Sequence, residues 1–211
     1  MERRAEAAWT RRDFMGGAAL LAMALGVPVA ALRLSDLDPA EAPSDRQRAM
    51  VRAVSGIVLP RTGTAGADEV GVGEFVILAL AHGLEGTRKP VDAAARPELA
   101  PFLRGGDGSL RHLDWLMHTL DRSAGGDFLA LSRARQAELV ATLDAQGYAD
   151  AAPGHPWLPV KALVLDGYYT SEEGGARELR YVHVPGRFDP DLPLRPDDRA
   201  WSSDWSAVDF G

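Results

Sequence analysis

Apolar side chains recur at helical spacing in five separate stretches of this 211-residue chain, with Gly or Pro between them. That pattern restricts the fold more than any other feature, because a 3.6-residue period buries one face of a helix and suits no strand. The first stretch opens on Ser44, an N-cap, with Gln47 three residues on to complete a capping box. Met50, Val51, Val54, Ile57 and Val58 follow, which predicts a helix over 45–58 stopped by Pro60. A second helix is predicted from Val72 to Gly83; it is apolar on most faces and should be the buried one. Residues 84–109 read as loop, with a turn around 97–103. A third helix is expected over 109–122, carrying Leu110, Leu113, Leu116, Met117 and Leu120. The fourth is capped by Ser132, faces inward with Leu139, Val140 and Leu143, and has Gly147 at the C′ position. The fifth covers 158–168, entered through Pro153 and Pro156. A single short strand is a candidate at 179–184.

The expected class is therefore mainly α: a small domain of about five helices over 44–168, followed by a long irregular segment over 169–211. That segment contains Pro185, Pro190, Pro193 and Pro196 and ends with Trp201 and Trp205. So many aromatics in so little periodicity suit a segment that wraps its own body or a neighbour better than a free tail.

The N-terminus has a different logic. Arg11 and Arg12 stand directly before Asp13 and Phe14, and the run from Phe14 to Leu32 is uncharged. A charged region, a mildly apolar region and the small residues Val29-Ala30-Ala31 make the layout of a twin-arginine export signal over 1–31, with 32–43 as linker. Three glycines, Pro28 and six alanines make the run weakly apolar for a permanent span, although retention as an uncleaved anchor is the alternative. Twin-arginine export moves proteins already folded, including those holding a cofactor or bound to a partner. Periplasmic localisation follows as an expectation.

The rest of the sequence offers little chemistry. The formal charge is −7, and residues 1–31 carry four arginines against three acids, so the remainder is one unit more acidic still. An acidic body argues against nucleic acid as a partner. There is no cysteine, which excludes disulfides, thiolate catalysis, thiolate zinc or iron–sulfur sites and covalent haem attachment in this chain. His112 and His118 fall on different faces of one helix, so no two-histidine metal site forms. Asp114 and His118 are four apart and read as a surface hydrogen bond; His82 reads as a helix-end cation. The acidic pairs Asp68-Glu69, Glu172-Glu173 and Asp197-Asp198 read as solvated loop charges. Gly71-Val72-Gly73 lacks the third glycine of a dinucleotide fingerprint, and Gly105-Gly106-Asp107-Gly108 has no strand before it and no Gly-Lys-Ser/Thr. No catalytic, cofactor-binding or metal residue is expected.

Two stretches carry a resemblance. The first is Ile57-Val58-Leu59-Pro60-Arg61-Thr62-Gly63-Thr64-Ala65-Gly66-Ala67 with Val70-Gly71-Val72-Gly73-Glu74-Phe75. The second is Gly167-Tyr168-Tyr169-Thr170-Ser171-Glu172-Glu173-Gly174 with Leu179-Arg180-Tyr181 and Val184-Pro185-Gly186-Arg187-Phe188-Asp189. In this order, after this signal, the chain resembles the gluconate 2-dehydrogenase subunit 3 family over roughly residues 44–201. The resemblance implies a non-catalytic small subunit of a membrane-associated, FAD-dependent sugar, polyol or glycoside dehydrogenase. It implies a large glucose-methanol-choline-type partner that holds FAD, in some complexes a multihaem cytochrome c subunit, and the twin-arginine export machinery. The small subunit would carry the folded large subunit across the membrane and support its maturation, as a chaperone does. Tyr168, Tyr169, Arg187, Phe188 and Trp201 are aromatic or Arg types favoured as interface anchors and are the expected partner surface; packing of Tyr168 and Trp201 on the chain's own helices is the alternative. Readings from other classes are a free-standing periplasmic enzyme and a membrane-anchoring module.

Overall fold

The computed structural model describes residues 42–149, 154–180, 193, 195 and 198–201. The chain divides into a unit of residues 1–42 and a unit of residues 43–211, and the described elements belong to the second. The expected signal residues Arg11, Arg12 and Phe14, and Arg187 and Phe188 of the expected interface, lie outside the described residues.

Among the described residues, the second unit contains five α-helices: α1 Asp45–Val58, α2 Val72–His82, α3 His112–Ala124, α4 Arg133–Gly147 and α5 Trp157–Tyr169. The protein is mainly α, and among the described residues only isolated bridges pair as strands do. Helix α1 begins and ends where its periodicity predicts. Ser44 Oγ accepts from the Gln47 amide while the Gln47 side chain accepts from the Ser44 amide, so two orphan donors of the first turn are satisfied together.

Helix α2 is the hub, packing on α1 along one side and on α5 along another. Its mean composition is apolar all round, and Val76, Ile77 and Leu80 are buried. Around it α1 contributes Met50, Val51 and Val54, and α5 contributes Val160, Leu163 and Val164. Helices α3 and α4 close the core with Leu116, Leu120, Val140 and Leu143. Each such side chain removed from water stabilises the fold by about 1.5–3 kcal/mol. Phe128 lies in a three-residue 3₁₀ turn between α3 and α4 and is fully buried. The Asp121 carboxylate accepts from its amide, and Arg46 of α1 binds that same carboxylate through both oxygens, tying the α3–α4 connection to the first helix.

Three features differ from expectation, the first two through contacts made outside the helix itself. Helix α3 starts at His112 instead of 109 because Ser109 and Leu110 are held extended, in antiparallel bridges to Pro90 and Leu103. Gly147 is the last helical residue of α4, not a left-handed C′ residue; it is small because Trp157 lies against it, 2.8 Å from where a Cβ would be. Beyond α5 the chain does not become irregular at once: Glu173–Glu178 forms a π-helical turn. Of the candidate strand, only Leu179 and Arg180 are described, and Arg180 pairs in parallel with Trp201.

Among the described residues, no helix is long and apolar enough to cross a membrane.

Candidate functional site

The loop after α1 and the turn after α5 are far apart in sequence and locked together in space. Leu59 closes the loop by accepting from the Ala67 amide at 2.9 Å. Into this loop reaches Tyr168, only 3% exposed, whose hydroxyl donates to the Ala65 carbonyl at 2.9 Å. The Ala65 amide donates to Glu173 Oε1 at 2.8 Å, so both polar groups of residue 65 are met by one short segment. Thr64 Oγ1 donates to Glu178 in the next turn. The Glu173 side chain is 15% exposed and also accepts from Arg177 Nη1 at 3.0 Å, which corrects its reading as a solvated charge. A carboxylate this sheltered must accept hydrogen bonds, and the loop amide supplies one. Asp68 is likewise half-buried, its carboxyl beside Gly56 and Arg133.

Close approach explains the glycines of the second segment. A Cβ on Gly174 would stand 2.2 Å from the Tyr168 carbonyl oxygen, which no rotamer can relieve. On α5 itself, a Cβ on Gly167 would meet the Phe75 ring at 2.6 Å, so α2 and α5 touch through a ring laid on bare backbone. Ser171 completes the turn, donating to the Tyr168 carbonyl at 2.6 Å and accepting from the Gly174 amide at 3.1 Å.

The remaining sequence candidates separate. Tyr168 is committed inside the chain. Tyr169 is 38% exposed, its ring edge-on to Tyr168 at 5.3 Å, and burial followed by the neighbouring Glu178 pushes its hydroxyl above the ordinary range. Trp201 is 51% exposed and lies under the Arg180 guanidinium, 4.9 Å from ring centroid to carbon. Arg180 was not singled out from sequence; its signal is an Arg within reach of an aromatic, which only the fold reveals. Asp114 and His118 do not pair. Asp114 accepts from Gln47 at 2.7 Å and pairs with Arg111, while His118 packs against Phe102. His82 does end α2, as expected.

A second feature lies where the segment 85–99 faces the α4–α5 connection and the start of α3. There a groove of about 660 Å³, open to solvent, has an apolar floor that includes Leu99, Leu110, Leu158 and Ala162. Two histidines line it with opposite hydrogen-bonding character. His112 is 7% exposed and its Nδ1 meets the Leu110 carbonyl at 3.1 Å; a carbonyl only accepts, so Nδ1 carries the proton and Nε2 is a bare acceptor. His155 Nδ1 accepts from the Trp157 amide at 3.2 Å, so its Nε2 carries the proton and donates. Burial pushes His112 down to about 4 and His155 down as well, so both rings are neutral at pH 7. Lys89 and Arg96 stand on the walls with Glu85. Arg96 is held by Glu98 at 2.6 Å, whereas Lys89 pairs with no carboxylate among the described residues.

Residues 45–186 match the family model described as gluconate 2-dehydrogenase subunit 3. No curated protein and no solved structure matches the chain.

Proposed function

Because this chain belongs to the gluconate 2-dehydrogenase subunit 3 family, making it an accessory-type subunit of a dehydrogenase complex, we propose that it is the non-catalytic escort of an FAD-dependent large subunit. In this reading the large subunit, of glucose-methanol-choline type, folds around FAD in the cytoplasm and binds the helical unit of this chain. Arg11 and Arg12 then direct both through twin-arginine export, and the pair matures in the periplasm at the cytoplasmic membrane, with a multihaem cytochrome c as a further subunit in some complexes. The substrate class is a sugar, polyol or glycoside, and FAD belongs to the large subunit.

The observation that carries the proposal is the family match over 45–186; within that range the loop after α1 and the turn after α5 converge in the clasp of Tyr168 and Glu173 on Ala65. A partner-binding body needs a surface fixed before the partner arrives, since ordering side chains on binding costs affinity. The clasp supplies that: it anchors the turn beside which Tyr169, Arg180 and Trp201 stand exposed. Arg187 and Phe188, further along the sequence and outside the described residues, are proposed as additional partner contacts.

The test is isolation of the tagged chain from its own cells. The expected result is co-purification of a large flavin-containing protein, with sugar dehydrogenase activity in the complex and none in the chain freed from it. Recovery of the chain alone, or activity residing in the chain alone, contradicts the proposal. At the surface, Tyr169→Ala should lower recovery of the large subunit; normal co-purification and activity would remove Tyr169 from it.

A further inference from the structure

Residues 198–201 return to the end of the π-helical turn after α5 and are fastened there as a strap. The Arg180 amide donates to the Ala200 carbonyl at 2.8 Å, within the parallel bridge that sets Arg180 beside Trp201. The Arg180 guanidinium covers the Trp201 ring, and its Nη1 stands 3.7 Å from Asp198 Oδ1. One residue therefore meets three residues of the strap. Asp198 is itself fixed: its Oδ2 accepts from the Arg195 amide at 2.9 Å, and its own amide donates to the Arg195 carbonyl at 3.1 Å. Arg199 donates to the Arg177 carbonyl, and the Arg177 side chain binds Glu172 at 2.8 Å and Glu173 at 3.0 Å. Glu173 is the carboxylate of the clasp, so the strap is tied through Arg177 to Ala65 and the helical body.

Resting on the proposed function above, we infer that Arg180 is a latch: it holds the strap against the turn and so presets Trp201 for the large subunit. Arg180 acts through Trp201. Its guanidinium is turned onto the indole and towards Asp198, so its charge is engaged within the chain. An indole on a loose segment would have to be ordered during binding, which costs affinity. Stacking under the guanidinium, with a backbone hydrogen bond at the preceding residue, orders it beforehand and still leaves half of it open to a partner. Arg177, Arg180, Asp198, Arg199 and Trp201 are all exposed, and exposed ion pairs and cation–π contacts are individually weak. The strap therefore opens when the one residue common to its contacts is lost, while the helical core is untouched.

The experiment compares R180A, W201A and the double variant R180A/W201A with wild type, as the free chain and in complex with the large subunit. Both side chains are exposed, so melting curves should match wild type. In the free chain, hydrogen exchange of the residue-180 amide, followed by NMR, reports the strap, because the acceptor of that amide is the Ala200 carbonyl. The expected result is slowed exchange in wild type and severalfold faster exchange in R180A. In the complex, W201A should weaken affinity on the order of tenfold or more, as for loss of an interface anchor. R180A alone should weaken it severalfold, and the double variant should bind no more weakly than W201A, since a residue acting through Trp201 has nothing left to position. An amide that exchanges freely in wild type, or as slowly in R180A, overturns the latch. Wild-type affinity in R180A or in W201A overturns it too, while the escort reading stands. Losses that multiply in the double variant make Arg180 a direct contact and overturn the positioning role. If wild-type chain and large subunit form no complex, the escort reading fails and the presetting of Trp201 with it.

Discussion

Replacing Gly174 by Ala tests whether the clasp organises this fold. The added Cβ would lie 2.2 Å from the Tyr168 carbonyl oxygen and 2.7 Å from its carbon, whereas ordinary contact begins at 3.4 Å. Both atoms are backbone, so the turn must move as a body by about 1 Å, and overpacking of this kind costs about 1–3 kcal/mol. Moving the turn also carries Glu173 off the Ala65 amide, a charge-assisted hydrogen bond worth about 1.5–3 kcal/mol. The two together predict roughly 3–5 kcal/mol, which in a unit of this size lowers Tm by roughly 6–20 °C. Thermal unfolding of the purified chain, followed by far-ultraviolet circular dichroism, measures it. Gly63→Ala is the control: nothing lies within 4 Å of its added Cβ, so it should leave Tm unchanged or raise it slightly. A Gly174→Ala variant that melts within about 2 °C of wild type would refute the reasoning.

Tyr168→Phe removes the hydroxyl that donates to the Ala65 carbonyl and keeps the ring buried, so it should cost about 1 kcal/mol and lower Tm by a few degrees in the same melt. His112 should impose a pH dependence. Burial holds it near 4 in the fold against an unfolded value of about 6.5, so below 6.5 the unfolded chain binds the extra proton and stability falls with pH until about 4. The contribution is fully present above pH 6.5 and amounts to roughly 3 kcal/mol lost by pH 4; urea titrations across that range measure it, and His112→Gln should flatten the slope. Below that window Asp144 takes over. Burial alone would raise its carboxyl, but hydrogen bonds from Lys161 and Trp157 leave it below the ordinary range. Its stabilisation is present above the usual carboxylate pKa and lost as pH falls through the depressed value, so Asp144→Asn should remove part of the acid-limb loss.

The helices were legible because their signals are local. Ser44 with Gln47 and the spacing of Met50, Val51 and Val54 specify α1 at both ends. Where the signal is nonlocal, the reading slipped. Ser109 looks like the start of a helix until Pro90 and Leu103 hold it and Leu110 as extended chain. Gly147 looks like a helix stop, and only the fold places Trp157 against it. The clasp was half visible: both segments stood out, but nothing in Glu173 announces that its partner is the amide of Ala65. The groove was not visible at all, since its histidines come from two helix entrances separated by α3 and α4.

The central claim is that this chain carries another protein through the membrane. In cells making both subunits, lysine replacement of Arg11 and Arg12 and fractionation of dehydrogenase activity test it most directly. The account predicts activity in the periplasmic fraction for wild type and in the cytoplasm for the variant, with the large subunit intact and flavin-loaded in both. Undiminished periplasmic activity in the variant would contradict it.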